Sequence, residues 1–157
     1  MRKRAGLFSF LPLLFLLGLP CTAVAQDLAE SQDYAFGYGL YKDGMYQLAY
    51  SELTRFIEKY PNSLRRAEAS FLTAECMYRL EKYPEASRRF EAFLKDHPAN
   101  QLRADALYRL GETNFNSSQF DKAGSYFKRV LAEYPQSTIA GEAAYWVGES
   151  YFKLGDF

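Results

Sequence analysis

The chain repeats a pattern of residues every 37 positions, and this repeat constrains the fold more than any other feature. Proline occurs at 61, 98 and 135, alanine at 49, 86 and 123, an aromatic residue at 46, 83, 120 and 157, and a small residue at 37, 74, 111 and 148. A period of about 20–50 residues is typical of solenoids, in which each unit buries its apolar face only against its neighbours. The repeat therefore predicts a surface for partners rather than a catalytic cleft.

Each unit reads as two antiparallel helices. In residues 100–135 apolar side chains recur at helical spacing, polar residues interrupt the pattern, and a second amphipathic segment starts near Phe120. Pro135 ends this segment, because the residue before a proline is pushed out of the helical region. Asn100 and Ser137 are predicted to cap the first helices of their units. The pattern predicts an all-α chain after residue 30, with six complete helices and a seventh that ends near Leu154.

Small residues at fixed places in the hairpins predict close contact between helix backbones. Gly111 and Gly148 belong to first helices, and Ala86 and Ala123 belong to second helices. A larger side chain at such a position would overpack the contact, at a cost of about 1–3 kcal/mol. Aromatic residues make up 17% of the chain, and their spacing places most of them between successive hairpins.

The hairpin pattern resembles the tetratricopeptide repeat, which has a small residue in its first helix, alanine followed four residues later by a bulky residue in its second, and proline at its end. Three units match, with Gly37, Ala49, Leu53 and Pro61, with Ala74, Ala86, Phe90 and Pro98, and with Gly111, Ala123, Phe127 and Pro135. The resemblance implies a right-handed α-solenoid of antiparallel helix hairpins. Its units would be about 31–63, 64–100 and 101–137, with a half unit at 138–157. The family's usual period is about 34 residues, so the connection is longer here.

Residues 1–25 are predicted to be a secretory signal peptide rather than part of the fold, leaving residues 26–157 as the repeat domain. Basic residues precede an apolar segment at 7–19, and Ala-Val-Ala at 23–25 forms a small-x-small cleavage site. A retained membrane anchor is the first alternative, although prolines interrupt an apolar run that is short for a membrane span. A lipoprotein acylated at Cys21 is the second. No transmembrane segment is expected after removal of the signal peptide.

The mature chain is expected to be slightly acidic. The first 25 residues contain three basic residues and no acidic one, so 16 Lys+Arg remain against 19 Asp+Glu. This balance argues against nucleic acid as a partner, because nucleic-acid binding needs a basic surface. Cys76 is the remaining cysteine, so an intrachain disulfide is impossible. A buried, inert thiol is favoured over a reactive or intermolecularly bonded one.

The longer unit, with Glu-Lys-Tyr-Pro-Asn-Ser at 58–63 and Ala-Glu-Tyr-Pro-Gln-Ser at 132–137, is similar to the repeats of bacterial envelope proteins. It resembles the families of the outer-membrane-protein assembly lipoprotein and of the periplasmic TolA-binding cell-division coordinator. The resemblance implies a protein–protein interaction scaffold of the cell envelope, located in the periplasm or associated with the outer membrane.

The resembled family also implies where a partner would bind, because its first helices line the concave face. Two columns of this chain fall on that face by register, and their members are Tyr34, Phe71, Tyr108 and Tyr145, and Tyr38, Glu75, Glu112 and Glu149. Rigid aromatic side chains are frequent binding hot spots, and the acidic column would suit a basic or aromatic-rich peptide. The alternative is that the aromatic residues belong to the core and the glutamates form a solvated helix face.

No catalytic residue, cofactor or metal site is predicted, so the chain is not expected to be an enzyme. One histidine and one thiol in the mature chain give no metal-ligand cluster, and phosphate-binding loops and nucleophile motifs are lacking. His97 replaces the tyrosines found at 60 and 134 in the neighbouring units. It is interpreted as a loop residue whose replacement by alanine would be nearly silent.

The end of the sequence begins another hairpin. Phe157 falls in the aromatic column of second-helix starts, and the helix before it carries aromatic residues on several sides. We therefore expect the solenoid to continue beyond residue 157, and an isolated 26–157 segment to self-associate through residues 142–157. Two functions remain open, a periplasmic interaction scaffold and a non-catalytic helical arm of a longer envelope enzyme such as a peptidoglycan hydrolase.

Overall fold

The computed structural model describes residues 19–155, with side chains from residue 25 onward. Its helices are α1 (Leu19–Lys42), α2 (Tyr46–Lys59), α3 (Arg66–Arg79), α4 (Tyr83–Asp96), α5 (Arg103–Asn116), α6 (Phe120–Glu133) and α7 (Ala140–Leu154). The described residues contain seven helices and no strand. The predicted all-α class is confirmed, and the seventh helix ends at Leu154 as expected.

The starts of the helices follow the period of the sequence. The second helices of the hairpins begin at 46, 83 and 120, and α3, α5 and α7 begin at 66, 103 and 140. Most contacts between helices join neighbours along the chain, and α1 also contacts α3. Each hairpin therefore packs on the next one, and the predicted solenoid of helix hairpins is confirmed.

Helix α1 is the longest, and it runs without a break across the predicted cleavage site after Ala25. Residues 1–18, which hold the basic start and most of the apolar segment, lie outside the described residues. The signal peptide therefore stays a prediction. Between residues 19 and 155, no helix has both the length and the hydropathy needed to cross a membrane.

The first helices start later than the capping prediction requires. Helix α5 begins at Arg103, and Asn100 Oδ1 accepts a hydrogen bond from the backbone N–H of Leu102 at 2.8 Å. Likewise, the backbone N–H of Ala140, where α7 begins, donates to the carbonyl of Ser137 at 3.0 Å. Asn100 and Ser137 therefore hold the turn before the helix. They lie too far upstream to cap its first turn.

The small-residue positions lie where helices cross, with one exception. Ala86 and Ala123 are fully buried, and a Cβ atom on Gly111 would lie 2.5 Å from the ring of Phe127. Gly148 has nothing within 4 Å of the same position, because no helix of the described chain packs on that side of α7. The predicted close contact is confirmed at Gly111, whereas the helix expected to pack on Gly148 would begin at residue 157, which lies outside the described residues.

Aromatic side chains pack mainly between the two helices of one hairpin, and the expectation that most of them lie between successive hairpins is wrong. The ring of Phe71 meets those of Phe90 and Phe93 edge-on, with centroids 5.6 and 5.7 Å apart. Phe90 and Phe93 are themselves buried. Cys76 is also buried and free, and burial raises the pKa of its thiol to about 12. A protonated, buried thiol is unreactive, which agrees with the inert role expected from the sequence.

Candidate partner-binding cleft

A cleft with a volume of about 550 Å³ runs along the first helices of the hairpins. We call it the first-helix cleft. Its lining residues come from α1, α3, α5 and α7 and from the turns before α5 and α7, and they are Tyr41, Phe71, Glu75, Leu102, Asp105, Tyr108, Arg109, Glu112, Ile139 and Glu142. Four of the predicted partner-binding residues are among them, namely Phe71, Glu75, Tyr108 and Glu112.

The other four predicted residues lie outside this cleft. Tyr34 is 5% exposed, and its ring stacks on that of Tyr38 at a centroid distance of 6.0 Å. Tyr145 is 62% exposed on α7, and Glu149 is half-buried on the same helix. The structure therefore divides the two predicted columns, and only their central members meet in one cleft.

Glu75 is not part of a solvated helix face. It is 2% exposed, and Tyr41 donates a hydrogen bond from its hydroxyl to Glu75 Oε2 at 3.2 Å. Arg109 Nε lies 2.7 Å from Glu75 Oε1. This second contact is an ion pair without a well-directed hydrogen bond, since Oε1 has no hydrogen-bond donor among the described residues. The alternative that the glutamates form a solvated helix face is therefore wrong for Glu75, because an arginine from the next hairpin covers it.

Arg109 joins the two central glutamates of the acidic column. Its Nη1 donates to Glu112 Oε2 at 2.6 Å, and its guanidinium lies 5.5 Å from the centre of the Tyr78 ring. Burial alone would lower the pKa of Arg109, but Glu75 and Glu112 outweigh burial and raise it. Burial raises the pKa of Glu112, and Arg109 opposes that change. The three side chains therefore form a charged cluster that links α3 to α5.

Arg109 was not among the residues predicted to bind a partner, although the repeat contains a signal for it. The positions 37 residues before and after it hold Leu72 and Trp146. An arginine in an otherwise apolar column must either reach solvent or find a carboxylate. The acidic column on the same face supplies that carboxylate. A comparison of the column of Arg109 with the acidic column would therefore have predicted the ion pair.

The cleft keeps an excess of negative charge after this pairing. Its charged lining consists of four carboxylates and one guanidinium. Within residues 19–155, Asp105 and Glu142 accept no hydrogen bond and form no ion pair. Tyr108 lies beside them, and its ring packs edge-on against Phe127 at 5.5 Å. Burial raises the pKa of Tyr108 to about 12, so its hydroxyl stays neutral. The cleft thus offers carboxylates beside rigid aromatic surface.

The helix hairpins, their period and the cleft on the first helices define an α-helical repeat protein. Two sequence models described as tetratricopeptide repeat match the chain, one over residues 77–138 and the other over residues 28–63. Together they cover more than half of the sequence. The chain belongs to the tetratricopeptide repeat family.

Solved structures of such repeats superpose on the chain. MamA from Desulfovibrio magneticus RS-1, residues 41 to the end, matches with a TM-score of 0.67 and 21% identity over 81% of this chain and 67% of that one. The second tetratricopeptide domain of human RPAP3, solved by NMR with the HSP70 peptide SGPTIEEVD, matches with a TM-score of 0.64 and 19% identity over 79% of this chain and 96% of that one. Identities this low show a shared fold alone. No curated protein matches the sequence.

Proposed function

We propose that this chain is a periplasmic interaction scaffold of the bacterial cell envelope, which binds a basic segment of a partner protein in the first-helix cleft. The observation that carries the proposal is the acidic lining of that cleft, where Asp105 and Glu142 have no partner among the described residues. Tetratricopeptide folds are generally non-catalytic scaffolds, and the RPAP3 domain was solved with a peptide bound.

The charge of the cleft determines which segment we propose. The peptide bound to RPAP3 carries three acidic residues and no basic one. An acidic segment would be repelled here, because four carboxylates face one arginine. A lysine or arginine side chain would instead meet Asp105 and Glu142, while an adjacent aromatic or aliphatic side chain would contact Phe71 and Ile139. Complementary charge of this kind mainly sets specificity and the rate of association.

The binding test uses two labelled peptides, one of alternating arginine and phenylalanine and one with glutamate in place of arginine. We expect the chain to bind the first peptide and not the second. The double variant Asp105→Asn/Glu142→Gln should bind the first up to about 30-fold more weakly, since each exposed ion pair is worth about 0.2–1 kcal/mol. It should also bind with a smaller dependence on salt.

The matched control for that variant is Asp43→Asn/Glu81→Gln, which removes the same charge from exposed positions outside the cleft. Glu75 and Glu112 are kept in both proteins, because they hold Arg109. Equal binding by the two double variants, or equal binding of the two peptides, would contradict the acidic cleft as the binding site.

The proposed location has its own test, which is the mass of the mature protein after expression in a bacterium. Export with cleavage after Ala25 gives an N-terminus at Gln26 in the periplasmic fraction. An acylated Cys21 would instead indicate a lipoprotein, and an intact Met1 in the cytoplasmic fraction would refute export.

We also propose that α7 is a surface for self-association. Tyr145 stands in the column of Tyr34 and Tyr108, which are 5% and 7% exposed, but it is itself 62% exposed. Exposed apolar surface of this kind marks interfaces. Sedimentation velocity should show association that Tyr145→Lys reduces and that Leu64→Lys does not, since Leu64 is a fully exposed leucine away from α7. A wild-type chain that stays monomeric at high concentration would rule out this surface.

A further inference from the structure

A second cavity lies on the opposite side of α3 from the first-helix cleft, between α2 and α4. Its volume is about 230 Å³, and we call it the α2–α4 cavity. Much of its wall is polar, with Thr54 from α2, Arg66, Ser70 and Thr73 from α3, Arg89 from α4, and His97 just after α4. This composition differs from the equivalent space between the second and third hairpins, where buried apolar side chains such as Ala106 and Leu110 pack.

Three buried polar atoms in the wall of this cavity have no hydrogen-bond partner in the described part of the chain. They are Arg66 Nε, Arg89 Nε and Thr54 Oγ1. Buried N–H and O–H groups are rarely left unpaired in native proteins. Such atoms are few among the described residues, and most of them occur here. The cavity therefore brings together donors that the chain itself does not satisfy.

The next interface of the solenoid shows the same arginine position in a closed arrangement. Arg103 follows Arg66 by one period, and its Nε donates to the hydroxyl of Tyr134 at 3.1 Å. Its Nη1 donates to the carbonyl oxygen of Leu94 at 2.6 Å. His97 takes the position of Tyr134 in the α2–α4 cavity and supplies no such hydroxyl. The replacement of tyrosine by histidine thus leaves Arg66 Nε free to bind something else.

Two further differences between the interfaces open the space. Ser70 and Thr73 stand where the next unit has Leu107 and Leu110, which are fully buried. Both small side chains are already satisfied, since their hydroxyls donate to carbonyl oxygens of their own helix at 2.9 and 2.7 Å. They create volume without competing for the unpaired donors.

The remaining charges of the cavity leave those donors available. Arg89 Nη2 lies 3.3 Å from Glu85 Oε1, and its guanidinium lies over the Tyr50 ring, so only part of its donor set is used. Glu58 and Asp96 also line the cavity. Both acids are exposed, and neither forms an ion pair with an arginine within residues 19–155. These two acids at the rim therefore do not occupy the buried N–H donors.

We propose that the α2–α4 cavity binds a small oxyanion, a phosphate or a carboxylate group, through the Nε–H groups of Arg66 and Arg89 and the hydroxyl of Thr54. Guanidinium N–H groups are well suited to oxyanions. The volume is several times the roughly 30 Å³ that one water occupies, so a tetrahedral oxyanion fits with its hydrating water. The site is separate from the first-helix cleft and does not depend on the function proposed for it.

The test measures the urea midpoint of the protein at increasing concentrations of inorganic phosphate, with ionic strength held constant by sodium chloride. A parallel series uses acetate. A ligand at ten times its Kd raises the folding equilibrium constant about eleven-fold. We expect this increase with phosphate in the wild-type chain. Stabilisation by phosphate alone would indicate a phosphoryl group, and stabilisation by both anions would indicate a site that also takes carboxylates.

Two variants of the cavity and one control make the result specific. Arg66→Gln removes a donor, and His97→Tyr should close the site by giving Arg66 the partner that Tyr134 gives Arg103. In both variants, phosphate should no longer raise the folding equilibrium constant. Arg88→Gln removes the same charge from an exposed position on α4, and this variant should still be stabilised by phosphate. The proposal is overturned if neither anion stabilises the wild type beyond chloride, or if both cavity variants respond as the wild type does.

Discussion

Gly111 offers the sharpest test of how the hairpins pack. A Cβ atom at this position would lie 2.5, 2.6 and 2.7 Å from Cε1, Cζ and Cδ1 of Phe127. Favourable contacts between carbon atoms occur at about 3.5–4.0 Å, so Gly111→Ala creates an overlap of roughly 1 Å. The Phe127 ring is fully buried and packs against Tyr108 and Trp146, with centroids at 5.5 and 6.0 Å. It has little room to move away.

The same column contains a matched control. Gly148 lies inside α7 as Gly111 lies inside α5, but a Cβ atom there meets nothing within 4 Å. Replacing glycine by alanine in a helix interior gains about 0.8–1 kcal/mol. Overpacking costs about 1–3 kcal/mol. Gly148→Ala should therefore stabilise the chain by about 1 kcal/mol, while Gly111→Ala should be less stable than Gly148→Ala by about 1–3 kcal/mol.

The assay is urea unfolding followed by far-UV circular dichroism. Gly37→Ala should fall between the other two variants, because its Cβ atom would lie 3.0 Å from a methyl group of Leu53, an aliphatic side chain. An unchanged urea dependence would show that the same unit unfolds in each protein. If Gly111→Ala proves as stable as Gly148→Ala, then the close contact of α5 with α6 does not depend on glycine and the packing argument fails.

Three further predictions concern the charged cluster, the core and pH. Arg109→Met should lower the free energy of unfolding by up to about 3 kcal/mol, because Glu75 is left buried without a cation; adding Glu75→Gln should recover part of the loss in urea unfolding. Ala123→Leu should cost about 1–3 kcal/mol by overpacking, while Ala132→Leu on the exposed face of α6 should be nearly silent in the same assay. Burial, reinforced by a nearby arginine, lowers the pKa of His97, so its contribution to stability is present above its ordinary pKa of about 6.5 and is lost as pH falls through the lowered value. The urea midpoint of the wild type should therefore fall relative to that of His97→Tyr as the pH is lowered below about 6.5, and a constant difference would contradict this.

The helices and their order could be predicted from the sequence because equivalent residues occur once in every period. Helix starts at 83 and 120 and at 103 and 140 differ by one period, so each ambiguous segment is supported by an equivalent one. A contact that is made in only one unit cannot be predicted from the repeated pattern. Arg109 interrupts an apolar column. The consensus residue type of that column does not reveal such an exception.

The burial of the glutamates could not be predicted from the register for the same reason. Register places Glu75, Glu112 and Glu149 at equivalent positions, yet Glu75 is buried, while Glu112 and Glu149 are partly buried. The difference comes from the partner in the next hairpin. Arg109 follows Glu75 by 34 residues and covers it, whereas the residue 34 positions after Glu112 is Trp146, which brings no charge. Burial in a solenoid depends on two units at once, and the position within one unit does not determine it.

His97 shows that one substitution in a repeat can remove the hydrogen-bond partner of a residue in another helix. In the sequence it appears as a tyrosine replaced in a connection, and its position directly after α4 agrees with that interpretation. In the structure the loss of the tyrosine hydroxyl leaves Arg66 without the hydrogen bond that Arg103 makes. Thr73 interrupts an apolar column of Phe36, Leu110 and Val147 in the same interface, so two departures from the repeat coincide in space. Departures that meet around one set of unpaired donors are better explained by a ligand, and the solenoid can carry it on the face that the first-helix cleft leaves unused.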